Sequence, residues 1–485
     1  MFRFLLITVA MLTMFAERCQ CQPDSAWVHT YGGFSEERYC SVIQTPDNGY
    51  VLTGATRSFG VGFWDFWLVM TDENGDSLWS RTYGGEELER CYSMVQTIDG
   101  GFVLAGETTS FGAGEEDFWL LKTDANGDSL WSQTYGGSES DRCQAMVQTI
   151  DGGFALAGQT WSSGAGEWDF WLVRTDANGD SLWSRTYGGS RFDVCNALIE
   201  TPDGGFALAG HTSSFGSGYQ DFWLVKTDEN GDSLWSRTFG GEHREACQSI
   251  VQNTDGGFLL AGCTGTIGSG NLDFWLIRTD ANGNSLWSRT FGGDNSETCY
   301  SILRTADDEF LLSGDTRSFG AGSYDYWLVL TNENGDSLGS KTFGDTRNDQ
   351  SSSMIQTADG GFVLAGTTEY PSSGSTDFWL VKTGSDPLSV ANETVISKPV
   401  CYSLLNAYPN PFNSTTISYG LPFPSNVSLQ LYNPLGQRIS ALFEGKRQAG
   451  IYSANLSGRD LASGLYFVRL EGAGEVVMRK VLLVR

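Results

Sequence analysis

The chain has 485 residues, 61 of them glycine and 13% aromatic, and a formal net charge of −28. That length fits two or three domains or one long repeat array, and so much glycine and aromatic side chain points to strands joined by tight turns. The last hundred residues, 386–485, carry nine Lys/Arg against six Asp/Glu, so almost all of the negative charge lies before them; such a surface repels phosphate backbones and excludes nucleic acid as a partner.

Arg3 followed by the apolar run from Phe4 to Ala16 reads as a secretory signal, too short to span a bilayer. Cleavage falls after Ala16 or after Cys21, and residues 1–21 are assigned to the leader. No later segment reaches the roughly 18 apolar residues of a membrane helix, so the mature chain is expected to carry no transmembrane segment.

From residue 22 to 385 a 52-residue period dominates. Trp67 recurs at Trp119, Trp171, Trp223, Trp275, Trp327 and Trp379, and a second tryptophan at Trp27, Trp79, Trp131, Trp183, Trp235 and Trp287, with Gly339 in the seventh slot. One copy reads as four strands: Cys91–Thr97, Phe102–Thr109, Phe118–Thr123 and Leu130–Tyr135, with Asp99-Gly100-Gly101 and Ala125-Asn126-Gly127-Asp128 as hairpin turns. Strands apolar on both faces, such as the one around Trp119, suit sheets sandwiched between neighbours. The expected fold is all-β, a seven-bladed β-propeller, with a superhelical solenoid as the alternative. Trp27–Tyr31 matches a fourth strand while the last copy stops after its third, so the N-terminal strand should complete the last blade.

Residues 386–403 read as a linker and 404–485 as a second domain of short alternating strands. Its motifs are Tyr408-Pro409-Asn410-Pro411-Phe412-Asn413, Asn433-Pro434-Leu435-Gly436, the run from Leu461 through Gly464-Leu465-Tyr466 to Leu470, and the ending from Arg479 to Arg485. Together they resemble the C-terminal sorting domain of type IX secretion and the related immunoglobulin-like domain of flagellar hook-capping proteins. The resemblance implies an immunoglobulin-like β-sandwich, export across an outer membrane through the secretion machinery, and release or attachment at the surface of a Gram-negative-type bacterium. An accessory adhesion sandwich is the alternative. The repeats are also similar, more loosely, to quinoprotein-like propellers, with no quinone pocket implied.

Two acidic positions recur in all seven copies: Glu37, Glu89, Asp141, Asp193, Glu245, Glu297 and Asp349 before the first strand, and Asp65, Asp117, Asp169, Asp221, Asp273, Asp325 and Asp377 before the third. Each carboxylate either ties a loop by accepting backbone N–H bonds or belongs to a ring that binds a cation, calcium included, or a cationic ligand. The Asp124–Asp128 turn has calcium-like oxygen spacing but Tyr135 where the bidentate acid should stand, which favours a plain hairpin. Cys91, Cys143, Cys195, Cys247 and Cys299 share one repeat position, with Cys40 displaced by one, and read as small core residues. His29, His211 and His243 lie in different copies, and no catalytic motif or cofactor site stands out. The turns are nearly identical from copy to copy, whereas the loops holding Trp64, Trp161, Trp168, Tyr219, Tyr324 and Tyr370 diverge. Variable aromatic loops on a rigid scaffold suit recognition of glycan or protein, so a non-catalytic secreted binding protein is expected. The alternatives are a carbohydrate-active enzyme using two of the acids and a structural surface or adhesion protein.

Overall fold

The computed structural model describes residues 27–305, 307–369, 375–388, 403–408, 414–421, 425–447, 450–458, 461–472 and 475–483; among these every regular element is a strand. The leader, most of the linker and Tyr370 lie outside the described residues. The chain divides into two compact units, Met1–Ala391 and Asn392–Arg485.

The first unit holds seven four-stranded antiparallel sheets that resemble propeller blades. Sheet 1 comprises Glu37–Gln44, Tyr50–Thr56, Asp65–Thr71 and Ser77–Tyr83. Sheets 2 to 6 repeat it as far as Ser337–Phe343. Sheet 7 takes Asp349–Gln356, Phe362–Glu369 and Thr376–Thr383, and its fourth strand is Trp27–Tyr31, paired from Trp27↔Lys382 to Tyr31↔Phe378. The two ends of the repeat therefore share one sheet, as the strand count predicts.

Local chemistry sets the hairpins. Gly100 and Gly127 take φ of 81° and 78°, the left-handed region their turns require. Asp124 Oδ1 accepts from the Asn126 and Asp128 amides at 2.9 and 2.8 Å, so this acid closes its own turn.

Packing joins each sheet to the next. Strands Phe102–Thr108 and Asp117–Thr123 are buried along their whole length. At every junction the third-strand Phe or Tyr of one sheet meets the third-strand Trp of the next: Phe66–Trp119 at 4.6 Å, Phe170–Trp223 at 4.5 Å, Tyr326–Trp379 at 4.5 Å and, from sheet 7 back to sheet 1, Phe378–Trp67 at 5.0 Å. Farther out, the fourth-strand Trp lies on a turn glycine of the next sheet. A Cβ on Gly127 would come within 2.8 Å of the Trp79 ring, and one on Gly179 within 2.7 Å of Trp131. The Tyr83 hydroxyl donates to the Gly127 carbonyl at 2.5 Å, and Tyr31 to Gly75 at the same distance across the sheet 7 to sheet 1 junction. Cys40, Cys91, Cys143, Cys195, Cys247, Cys263 and Cys299 are buried and unbridged.

The missing seventh tryptophan has a local cause. A Cβ on Gly339 would lie 2.7 Å from Leu388 Cδ1. Leu388, just beyond the last repeat, takes the space that the indole fills elsewhere.

The second unit has a three-stranded sheet (Ser403–Tyr408, Ser414–Leu421, Gly450–Ser457) and a four-stranded one in the order Arg438–Arg447, Ser425–Tyr432, Gly464–Gly472, Glu475–Leu483. Ser425–Tyr432 alternates strictly, burying Val427, Leu429 and Leu431. These meet Ile417, Tyr419 and Leu421 of the other sheet in one core. Asn433 Oδ1 accepts from the Leu435 and Gln437 amides at 3.1 and 2.9 Å, the turn device already seen at Asp124.

Overpacking the filled space should be costly. Gly339→Trp is expected to lower stability by about 1–3 kcal/mol, and adding Leu388→Ala should restore most of it. Thermal unfolding of the two variants checks this; absence of rescue would mean that Leu388 is not the occupant.

Candidate binding site

The recurring acids come together in pairs, one from each side of a junction. Glu37, Glu89, Asp141, Asp193, Glu245, Glu297 and Asp349 are all buried, and each accepts from the backbone amide four residues earlier, as in Gly85 N to Glu89 at 2.9 Å and Asp345 N to Asp349 at 2.9 Å. Most also accept from a second-strand hydroxyl, such as Thr108 to Glu89 at 2.8 Å. The third-strand acids accept from the loop before them, for instance Ala113 N to Asp117 at 2.7 Å.

Their other oxygen faces the neighbour's acid. A Cβ on Gly84 would lie 2.2 Å from Asp65 Oδ1 and 2.5 Å from Glu89 Oε2, and the same holds at Gly136, Gly188, Gly240, Gly292, Gly344 and Gly32. The glycine after each fourth strand is thus the only residue that leaves room for two carboxyl groups. Oδ1 of Asp117, Asp169, Asp221, Asp273, Asp325 and Asp377 has no donor. Two buried carboxylates facing each other cannot both ionise cheaply. Burial first, then the facing Glu297, pushes Asp273 up to about 6; burial, with Asp345 and Asp325 nearby, does the same for Asp349. Glu37 and Asp377 are likewise both pushed up, mainly by burial. A proton held between two such groups satisfies the orphan oxygen. None of these acids lines the cavity described below.

The divergent aromatics scatter. Trp64 and Trp168 are buried, the first with its carbonyl accepting from Glu89 N at 2.8 Å, so both are parts of junctions. Trp161 and Tyr219 are exposed, at 47% and 71%, and Tyr324 is half-buried beside Arg317, 4.8 Å from its ring. Only Trp161 and Trp168 meet, at 5.6 Å. Under them the Arg142 guanidinium sits 5.1 Å from the Trp168 ring and pairs with Glu116 at 3.1 Å. Trp64, Tyr219 and Tyr324 belong to loops of three other sheets.

A second feature escaped the sequence. In sheets 2 to 7 the first strand carries a bulge at its fourth residue, as where the register jumps between Cys91 and Ser93. A bulge takes a residue out of the ladder and re-aims its side chain. The six bulged residues are Tyr92, Gln144, Asn196, Gln248, Tyr300 and Ser352, all lining one cavity of about 620 Å³ to which all seven sheets contribute. In sheet 1 two residues are displaced, and one of them, Tyr39, adopts φ of 64°. The signal was there to be found: the residue after each cysteine varies in chemistry while the leading acid and the apolar sixth and seventh residues of its strand keep theirs. A half-buried strand position simply reads as core.

Comparison with known proteins bears mainly on the second unit. Residues 406–484 match the family described as secretion system C-terminal sorting domain. The C-terminal unit is such a domain. The chain is accordingly a cell-surface or secreted protein of Bacteroidetes-type bacteria, and the sorting domain implies secretion machinery as a partner. No helix among the described residues is long and apolar enough to cross a membrane. The regulatory protein FlaEY of Caulobacter vibrioides is 27% identical over 165 residues, a stretch covering 29% of this chain and only 17% of that protein. PorZ, a surface component of the type-IX secretion system of Porphyromonas gingivalis, is 12% identical over 94% of this chain and 60% of its own, with a TM-score of 0.42. The β-propeller domain of the Trilobed protease from Pyrococcus furiosus is 10% identical over 75% of this chain and all of its own, at 0.39. At such scores neither structure carries an argument about function.

The carboxyl pairs predict an inverted pH response. Asp273, Asp349 and Asp377 have folded pKa values of about 6, above the unfolded ones near 4, so their contribution is complete below about pH 4 and is lost as pH rises through about 6. Asp99, held at about 2 by hydrogen bonds from Thr97 and Lys122, works the other way below pH 4. Urea denaturation should therefore show greater stability at pH 5 than at pH 8. Asp273→Asn, whose amide can donate to Glu297 without a shared proton, should gain about 1–3 kcal/mol at pH 8 and narrow the difference. Equal stability at the two pH values would remove the shared protons.

Proposed function

We propose that this chain is a non-catalytic binding protein, exported by its C-terminal domain and displayed or released at the cell surface, with a seven-bladed propeller as its recognition module. The sorting domain at 406–484 carries the reading: a protein sent outside on a dedicated tail acts on what lies outside. The seven sheets close into a ring, supported by the Phe378–Trp67 contact and the Tyr31 to Gly75 hydrogen bond between sheets 7 and 1. Domain limits are those of the sequence: leader 1–21, propeller 22–385, linker 386–403 and an immunoglobulin-like sandwich from 404.

Glycan is the favoured ligand class, with protein second. Trp161 offers an exposed indole beside Trp168 and the Arg142–Glu116 pair, and an aromatic face with adjoining polar groups suits a sugar ring with its hydroxyls. Tyr219 and Tyr324 offer further faces on other sheets. The acids before the first strands serve as junction ties, and only secondarily as candidates for a cation.

Two measurements test this. Deleting residues 404–485 should leave the protein inside the outer membrane when the native bacterium is fractionated; normal export of the truncated chain would overturn the sorting role. In affinity electrophoresis the full chain should be retarded by at least one extracellular polysaccharide, and Trp161→Ala should weaken this about tenfold, some 1.4 kcal/mol, without moving the unfolding midpoint. Retardation by proteins alone would select the protein ligand.

A further inference from the structure

We infer that the cavity shared by the seven sheets is a binding site for the end of a neutral oligosaccharide. The inference rests on the binding-protein reading and places a site where neither the loops nor the acids are.

The lining is the first reason. Gln144, Asn196 and Gln248 bring side-chain amides, and Tyr92, Tyr300 and Ser352 bring hydroxyls. Each such group can both donate and accept, and all are half-buried; Asn196 already donates to the Cys247 carbonyl at 2.8 Å and Tyr92 to Glu107 at 3.2 Å, which leaves the two their acceptor oxygens. The two charged residues in the lining, Arg38 and Asp315, are each already engaged. Arg38 pairs with Glu36 at 2.9 Å, and Asp315 is buried and accepts from the Ser351 amide at 2.6 Å. In a chain with a net charge of −28, a cavity lined by uncharged, two-way hydrogen-bonding groups selects neither an anion nor a cation. It selects hydroxyls.

The second reason is strain. Tyr39 lines the cavity at φ of 64°, a conformation that a bulky aromatic adopts at a cost and that persists mainly where function requires it. Its ring packs 4.9 Å from Tyr92, giving an aromatic corner against which the apolar face of a sugar ring can rest. The order of two residues produces it: sheet 1 reads Tyr39-Cys40 where sheet 2 reads Cys91-Tyr92. Because Cys40 and Cys91 are both buried, the swap moves the aromatic ring to the other side of the cysteine.

The third reason is size and outline. A volume of about 620 Å³ falls among small-ligand sites, roughly 300–1,000 Å³, and is far too small for a protein domain. A peptide would need a run of backbone donors and alternating side-chain pockets. This lining instead sets side-chain polar groups from all seven sheets around one open cavity, with sheets 1, 6 and 7 giving several each.

Calorimetric titration of the full-length chain tests the site with neutral cello-, xylo-, manno-, malto- and chito-hexaoses, a hexagalacturonate and a hexapeptide. At least one neutral oligosaccharide should bind with one site per chain. Tyr39→Gly, which removes the ring but suits the positive φ, should weaken binding at least tenfold while leaving the unfolding midpoint unchanged or higher. Gln144→Ala combined with Gln248→Ala should do likewise. Binding of only the acidic sugar or only the peptide would overturn the assignment. So would neutral-sugar binding that Trp161→Ala abolishes and Tyr39→Gly leaves intact, a result that keeps the binding-protein reading and moves its site to the loops. If no probe binds, the cavity assignment falls, and the binding-protein reading is then decided by the electrophoresis above.

Discussion

No sheet in the first unit can stand alone. Its middle strands are buried on both faces, so each sheet needs a neighbour on either side, and the Phe–Trp contact of 4.5–5.0 Å at each junction is where that need is met. Aromatic pairs of this kind add about 0.5–1.5 kcal/mol beyond the area they bury. Their larger effect is positional. Because the same strand supplies the Phe facing one neighbour and the Trp facing the other, the register of one junction fixes the next. The recurring acid pairs, the turn glycines under the outer tryptophans and the tyrosine hydroxyls on the turn carbonyls all follow from that register.

The acid pairs show what such packing does to charge. A formal count treats all fourteen recurring carboxyls as ionised, yet each junction seals two of them around one glycine. The strongly acidic character of the molecule comes instead from exposed carboxylates such as Asp76 and Asp128 on the turns. For a protein sent outside the cell, a charged exterior over junction carboxyls such as Asp273 and Asp349, which burial pushes toward the neutral form, gives solubility with less repulsion in the interior.

Much of the fold was legible in the sequence for the reason repeats usually are. Seven copies at one spacing average out local ambiguity, so strand limits, hairpin turns and the split last sheet could be read from Gly, Asn and Trp alone. The sorting domain was legible from motifs around Asn433 and Gly464. What could not be read were facts that depend on two copies at once. That Asp65 faces Glu89 across Gly84, or that Leu388 occupies the place of a tryptophan opposite Gly339, is a property of a junction, and single-copy periodicity does not contain it. Trp64 and Trp168 mislead for a related reason: they vary as surface residues do, yet the loops that carry them fold over the junctions and bury them.

The bulges explain where variation can be afforded. In the ladder and at the junctions a changed residue disturbs two sheets, so those positions repeat. A bulged residue is outside the ladder, so Tyr92, Gln144, Asn196, Gln248, Tyr300 and Ser352 can differ without altering the pairing of their strands. Drift alone accounts for differences at such positions. It does not account for the second-strand partners of the residues two before the bulge, which also differ: Glu107, Gln159, His211, Cys263 and Asp315, every one of them buried. Burying a polar group without a partner is costly; Glu107 and Asp315 have partners, whereas Gln159 Oε1 and His211 Nδ1 have no hydrogen-bond partner among the described residues. Glu107 receives Arg90 at 2.9 Å and the Tyr92 hydroxyl at 3.2 Å, and Asp315 receives the Ser351 amide. These differing buried residues, Asp315 itself part of the lining, give the cavity wall a different backing from sheet to sheet. Sevenfold symmetry is therefore broken most deeply around the shared cavity, where a ligand without sevenfold symmetry would have to be recognised.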